Sequence, residues 1–258
     1  MDSLFSVAGK RALVTGGSRG IGRMIASALL SNGAEVIIAS RTADDVDAAV
    51  SELSKLGNCS GVAADVATEA GRSALVDAVG AAGGLDILVN NAGMAVPESP
   101  AGADADLSAA MLALNVTAPL LLTQALAEQL KDGATAHDPA RVVMIGSVDG
   151  IRVPVTPLFT YGASKAAVHS LTRQLAHTLN GEHVTVNAIA PGMFESAMTE
   201  RVLAAPGMQE RIEAGIPLGR IGAPQDIAAA VLFLAGSGGS YLTGTLIPVD
   251  GGVSTNHA

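Results

Sequence analysis

Short apolar runs rich in β-branched residues recur along the chain, separated by longer stretches of helical length. Residues 11–15, 35–40, 60–64, 85–90, 141–145, 184–189 and 246–249 predict seven strands. None alternates apolar with polar positions, which is how strands covered on both faces of a parallel sheet read. The intervening segments 21–30, 44–55, 69–79, 107–130, 161–179 and 224–235 have the length and composition of helices. Strand and helix in strict alternation predict an α/β fold of Rossmann type, a doubly wound parallel sheet with helices on both faces. One domain over residues 1–258 is expected, with a substrate loop at about 192–223 inside the one long irregular stretch. The apolar residues of that stretch, Met193, Phe194, Met198, Val202, Leu203, Met208 and Ile212, suit either a lid over a ligand or the packing of one or two short helices.

Composition narrows this picture. With 258 residues, 49% hydrophobic and 15% charged, the chain can bury a large core. Its longest apolar runs are broken by Thr123, Gln124 and Glu128 before reaching the roughly 18 residues of a membrane span. Residues 1–10 lack the pattern of a secretion signal, so a cytoplasmic protein without membrane attachment is expected. A lone cysteine, Cys59, excludes an internal disulfide, and without CxxC or HExxH spacing no metal is expected. The net charge of -9 argues against nucleic acid as a partner, so any bound phosphate must be caught locally.

A site for one follows the first strand. Thr15-Gly16-Gly17-Ser18-Arg19-Gly20-Ile21-Gly22 leads straight into a helix, where glycines permit a tight turn and the exposed N–H groups favour a pyrophosphate. At the end of the second strand, where an acidic residue would bond a ribose 2′-hydroxyl, stand Ser40 and Arg41. Arg41 with Arg19 suits a 2′-phosphate and therefore NADP(H); the plain alternative is two solvated arginines.

Tyr161 and Lys165 are four apart on a helix and share a face. An ammonium beside a phenol and the positive ring of an oxidised nicotinamide both favour phenolate, making the pair usable for acid/base work; a core tyrosine and a snorkelling lysine is the bland alternative. Ser147 follows the fifth strand, at the edge where open α/β sheets bind ligands, and can donate to a substrate oxygen. Asn115 precedes Pro119 by four residues, so its carbonyl loses its helical donor and a kink is expected. That carbonyl could hold a water feeding protons towards Lys165, or could simply be solvated. Gly16-Gly17-Ser18-Arg19-Gly20 also satisfies the GxSxG of a hydrolase elbow, although an elbow needs earlier strands than the first. A dinucleotide sensor without chemistry would need no Ser147, Tyr161 and Lys165 together.

These residues resemble the short-chain dehydrogenases/reductases over essentially the whole chain. TGGSRGIG at 15–22, Asp65-Val66, NNAG at 90–93, Asn115-Val116, Ser147, Tyr161 with Lys165, Asn187, Pro191-Gly192 and Val249-Asp250-Gly251-Gly252 stand in the family's order. The resemblance implies that Asn115, Ser147, Tyr161 and Lys165 form a catalytic tetrad, with Tyr161 giving a proton to a carbonyl reduced by hydride. It further implies that Asp65 and Val66 meet the adenine and that Asn91, Ala92 and Gly93 line the cofactor. Lys165 would hold the nicotinamide ribose, and Pro191, Gly192 and Ser196 would contact the carboxamide. Among branches the chain looks most like bacterial 3-oxoacyl (β-ketoacyl) reductases, including the rhamnolipid-associated branch, acting on small carbonyl or alcohol substrates as homotetramers or homodimers. Asn180-Gly181-Glu182, Asp132 and Asp138 stand where carrier-dependent reductases have basic residues, which weighs against docking of acyl carrier protein.

Overall fold

The computed structural model describes residues 4–99, 102, 104–154, 156–195, 199 and 205–255. Its centre is a seven-stranded, all-parallel sheet in the order β3-β2-β1-β4-β5-β6-β7. The strands are β1 (Arg11–Thr15), β2 (Glu35–Ser40), β3 (Cys59–Ala63), β4 (Ile87–Asn90), β5 (Ala140–Ile145), β6 (Val184–Pro191) and β7 (Leu246–Val249). The order reverses between β1 and β4, which places a topological switch point at the centre of the sheet. Leu13 pairs there with Ile37 on one side and Leu88 on the other. β4, β5 and β6 are buried along their whole length, whereas β3 and β7, at the two edges, are largely half-exposed. Two-sided burial thus holds for the central strands and fails at the edges, where among the described residues no further strand pairs with β3 or β7.

Helices α1 (Gly20–Ser31), α2 (Ala43–Leu53), α3 (Glu69–Ala81), α4 (Ala105–Leu112), α5 (Ala118–Ala125), α6 (Ala127–Lys131), α7 (Phe159–Leu179), α8 (Met208–Ala214) and α9 (Pro224–Ala235) complete the described elements. On one face α1 and α9 bury Ile25, Leu29, Ile227, Val231 and Leu234 against the sheet. On the other, α3, α5 and α7 contribute Leu75, Leu122, Val168 and Leu175. The helix expected over residues 107–130 is subdivided. Ala113–Thr117 forms a π-helical turn, with the Ala118 N–H donating five residues back to the Ala113 carbonyl, and a second break falls at Leu126. Pro119 has no N–H to give, and the chain absorbs the loss by widening one turn rather than by a simple kink.

The stretch Ala105–Ala125 is long and apolar enough to cross a membrane by length and composition alone. Two of its polar side chains, Asn115 and Thr123, are buried inside the fold, while Asp106, Thr117 and Gln124 are exposed; Thr123 Oγ accepts from Asn90 Nδ2 at 3.0 Å and donates to the Pro119 carbonyl at 2.7 Å. In the region of the expected substrate loop, α8 is helical and Phe194 is buried, with a bridge between Phe194 and Gly222. Met198, Val202 and Leu203 lie outside the described residues.

Candidate active site

The carboxyl ends of β1, β4, β5 and β6 meet along one edge of the sheet, and the predicted site residues follow each of them. At β1, Gly16 and Gly20 adopt positive φ of 66° and 53°, where a side chain would be strained. Gly22 is fixed by proximity instead, since a Cβ there would lie 2.2 Å from the Gly16 carbonyl oxygen. The turn is bolted to the next strand: Thr15 Oγ accepts the N–H groups of Asn91 and Ala92, each at 3.0 Å. Asn91 Nδ2 returns a bond to the Thr15 carbonyl at 2.8 Å. Ala92 and Gly93 are thereby held beside the glycine turn.

Helix α1 begins with no side chain capping its N–H groups and no acidic residue in its first turn. A helix start left open in this way, backed by glycines with no room for a Cβ, fits the pyrophosphate of a dinucleotide. Ser18 and Arg19 line, with Arg23, Asp45 and Glu52, a hollow of about 430 Å³ between α1 and α2. Ile21 packs against the core, and Ser40 and exposed Arg41 close β2. Asp45 is a carboxylate that reading the strand end alone did not count. Asp65 accepts the Ala67 N–H at 3.0 Å and its carbonyl receives Thr68, so the turn bearing Asp65 and buried Val66 is preset at the end of β3. Gly71 preserves that turn, because a Cβ there would meet the Asp65 carbonyl at 2.0 Å. A larger hollow of about 660 Å³ between α1 and α9 includes no member of the expected tetrad.

The four expected catalytic residues converge. The π turn presents Asn115 inward, where Oδ1 accepts the Met94 N–H and Nδ2 donates to the Met94 carbonyl, both at 2.9 Å. Nδ2 also donates to Ser164 Oγ at 3.0 Å, which ties α7 to the loop after β4. Lys165 is 5% exposed, so it does not snorkel, and its Nζ donates to the Ile145 carbonyl at 2.8 Å. The same Nζ stands 5.7 Å from the centre of the Tyr161 ring. A Cβ on Gly93 would come within 3.1 Å of Asn115 Oδ1 and 3.6 Å of Lys165 Nζ, so this glycine leaves open the space between them.

Burial sets the resting protonation of this pair. Burial pushes the Tyr161 phenol up to about 12, with the Ser147 hydroxyl pulling the other way and Asp149 adding to the rise. Burial also depresses the Lys165 ammonium to about 8. Desolvation outweighs the opposing pull of the Ser147 hydroxyl, so without bound cofactor Tyr161 is a protonated donor at neutral pH. Pro191 ends β6, and Gly192 donates to the Val249 carbonyl at 2.9 Å, while a Cβ on it would meet Asp250 at 2.8 Å. Ser196 lies outside the described residues. Asn187 is structural: it donates to the Leu242 carbonyl and accepts from Thr245.

Two contributors carry no local signature. Glu98 caps the helix bearing Tyr161, accepting the Thr160 N–H at 2.6 Å and the Thr160 hydroxyl at 2.7 Å. His169 is buried behind Ser147. Only the flanking glycines at 146 and 150 hinted that something fills that space.

Residues 16–254 match the family model described as Enoyl-(Acyl carrier protein) reductase. The chain is 46% identical over 253 residues to a rhamnolipids biosynthesis 3-oxoacyl-(acyl-carrier-protein) reductase of Pseudomonas aeruginosa, covering 98% of this chain and 99% of that one. It is 34% identical to a tropinone reductase homolog of Datura stramonium over 99% of this chain and 96% of the relative. The structure of the Pseudomonas aeruginosa RhlG/NADP active-site complex superposes with a TM-score of 0.95 at 45% identity, covering 98% of this chain and all of that one. With the glycine turn, the tetrad residues and these matches in agreement, the chain belongs to the short-chain dehydrogenase/reductase family and is an NADP(H)-dependent oxidoreductase of it.

Proposed function

We propose that the protein reduces a β-ketoacyl or related β-keto compound to the alcohol, with Tyr161 as proton donor. The observation that carries this reading is the meeting of Ser147, Tyr161 and Lys165 at the carboxyl edge of the sheet, next to an open helix start suited to a dinucleotide. NADPH, when bound, supplies the hydride that reaches the carbonyl carbon. Ser147 donates a hydrogen bond to the substrate oxygen and orients it. As negative charge builds on that oxygen, the Tyr161 phenol gives up its proton to it, and Lys165 steadies the phenolate left behind. Lys165 would also hold the nicotinamide ribose, and Asn115 keeps the Met94 loop and Ser164 in register beside it. Arg19 and Arg41 meet the 2′-phosphate; Asp65 and Val66 meet the adenine; Asn91, Ala92, Gly93, Pro191, Gly192 and Ser196 line the rest.

The β-ketoacyl assignment draws on the relative named as a 3-oxoacyl reductase and on the apolar residues of the loop at about 192–223. A coenzyme A thioester or free ester should serve at least as well as a carrier-bound one. Lys131 is paired with Glu128 and Glu182, and Lys10 with Asp86 and Asp138, so neither lysine is left to greet an acidic carrier. A second reading, a dehydrogenase of alcohols, sugars or cyclic ketones, is favoured by Asp149, a half-buried carboxyl whose field reaches Tyr161 and which suits a hydroxylated substrate. A homotetramer or homodimer in the cytoplasm fits the exposed Leu112, Val153 and Phe159, apolar side chains that a second copy would cover.

NADPH oxidation followed over β-ketoacyl coenzyme A and carrier thioesters, β-keto esters, sugars and cyclic ketones separates the two substrate readings. Tyr161→Phe should lower kcat about a hundredfold or more on the best substrate, with NADPH affinity little changed. Near-normal kcat in that variant would remove Tyr161 from its role, and activity confined to sugars or cyclic ketones would transfer the protein to the second reading.

A further inference from the structure

A buried titratable side chain stands against the tetrad with no part in the chemistry above. His169 lies on α7 one turn beyond Lys165 and two beyond Tyr161, and it is 5% exposed. Its imidazole fills the hollow of the turn from Gly146 to Gly150 that carries Ser147. A Cβ on Gly146 would lie 2.3 Å from His169 Nε2; one on Gly150 would meet the α7 backbone first, at Lys165 C and Ala166 N, each 2.6 Å away, and then His169 Cε1 at 2.8 Å. Neither glycine is at positive φ, so the backbone conformation does not call for glycine at either position. Space does: the ring takes it at Gly146, and the α7 backbone with the ring takes it at Gly150.

The ring is also bonded to both ends of the turn. The Ser147 N–H points at Nε2 from 3.5 Å, and the imidazole bonds the backbone of Gly150. A neutral imidazole has one donor and one acceptor, so the tautomer protonated on Nδ1 satisfies both contacts at once. Burial, then the Lys165 ammonium and the Arg173 guanidinium, hold His169 down to about 4, which keeps the acceptor free at any ordinary working pH. Through this contact the backbone of the residue that orients the substrate is fixed by the same helix that carries the proton donor.

We propose that His169 is a positioning residue for Ser147: its imidazole, wedged between Gly146 and Gly150 and accepting the Ser147 N–H, sets where the Ser147 hydroxyl stands relative to the Tyr161 phenol. This rests on the reading of Ser147 as the group that orients the substrate oxygen. A loosened turn leaves binding surfaces intact and misplaces one hydroxyl, so the loss should fall on kcat rather than on KM or on NADPH affinity.

The test is a double-mutant cycle with His169→Leu and Ser147→Ala, with NADPH dissociation constants measured by fluorescence titration. His169→Leu should lower kcat about tenfold with NADPH affinity within about twofold, and in the Ser147→Ala background it should cost less than about threefold more. Equal losses in both backgrounds would overturn the proposal and leave the reading of Ser147 standing. An unchanged kcat in Ser147→Ala would overturn both. Should His169→Leu fail to fold, two amides replace it: glutamine can place its oxygen near the position of Nε2, while asparagine, one methylene shorter, reaches only the position of Nδ1. His169→Gln should then retain kcat and His169→Asn lose it, and identical kcat in the two would overturn the proposal.

Discussion

Replacing Lys165 with methionine should abolish turnover and yet make the cofactor-free protein more stable at neutral pH. The ammonium is fully withdrawn from water, and burial holds it at about 8 against an ordinary 10.5. That depression corresponds to about 3 kcal/mol of destabilisation, since each tenfold change in proton affinity is worth about 1.4 kcal/mol. The bond from Nζ to the Ile145 carbonyl at 2.8 Å returns part of it, as a charge-assisted hydrogen bond is worth roughly 1.5–3 kcal/mol. Methionine keeps the length and apolar stem of the side chain, so a gain of about 1–2 kcal/mol at pH 7 is expected. The sign with pH is the sharper check. Between pH 8 and 10.5 the unfolded chain holds the Lys165 proton and the folded chain does not, so wild-type stability rises with pH there while the variant lacks that contribution. The stability advantage of the variant must therefore shrink from pH 7.5 to 9.5, below the range where Tyr161 titrates. Urea unfolding of both proteins across that range measures it. A variant less stable at pH 7, or a stability difference that does not change with pH, would refute the argument that Lys165 is held in place at a cost to the fold.

Arg41→Asp should lower the NADPH-to-NADH ratio of kcat/KM by about tenfold or more, because it removes a cation from the end of β2 and adds a carboxylate near Asp45; an unchanged ratio would take Arg41 out of the 2′-phosphate site. Glu98→Ala should lower both the melting temperature and kcat by uncapping α7 beside Tyr161, whereas Glu98→Gln, which still accepts from Thr160, should lose less of each; equal losses in the two variants would show that acceptance by this side chain is not what holds the helix start.

Much of the fold was legible because the apolar runs are compact and the glycine turns punctuate them. All seven strands fall where expected, with ends displaced by at most two residues, at β4, which begins at Ile87 rather than Leu85, and at β6, which ends at Pro191 rather than Ile189. The subdivision of residues 105–131 was not legible. Pro119 announces that one helical hydrogen bond is missing, but not whether the chain bends or takes an extra residue into the turn. The choice is made by contacts far away in sequence. The widened turn rotates Asn115 onto Met94 and Ser164, 21 and 49 residues distant, and those bonds supply what the helix gives up.

The same separation divides the site. Tyr161 and Lys165 could be found because four residues on a helix fix their relation before any tertiary structure exists. Their protonation in the cofactor-free protein could not, because desolvation weighs on it most, and burial is a property of the assembled fold. Glu98 and His169 escaped for a related reason. Glu98 meets Thr160 across 62 residues and His169 meets Ser147 across 22, so no spacing records either contact. A trace of the second survives in Gly146 and Gly150. Two glycines bracket Ser147 with no backbone conformation requiring them, which implies that something else occupies their place: the imidazole at Gly146, and the α7 backbone with the imidazole at Gly150. A glycine that needs no unusual φ is thus the more informative kind in this chain: it marks what packs against it rather than how the backbone turns.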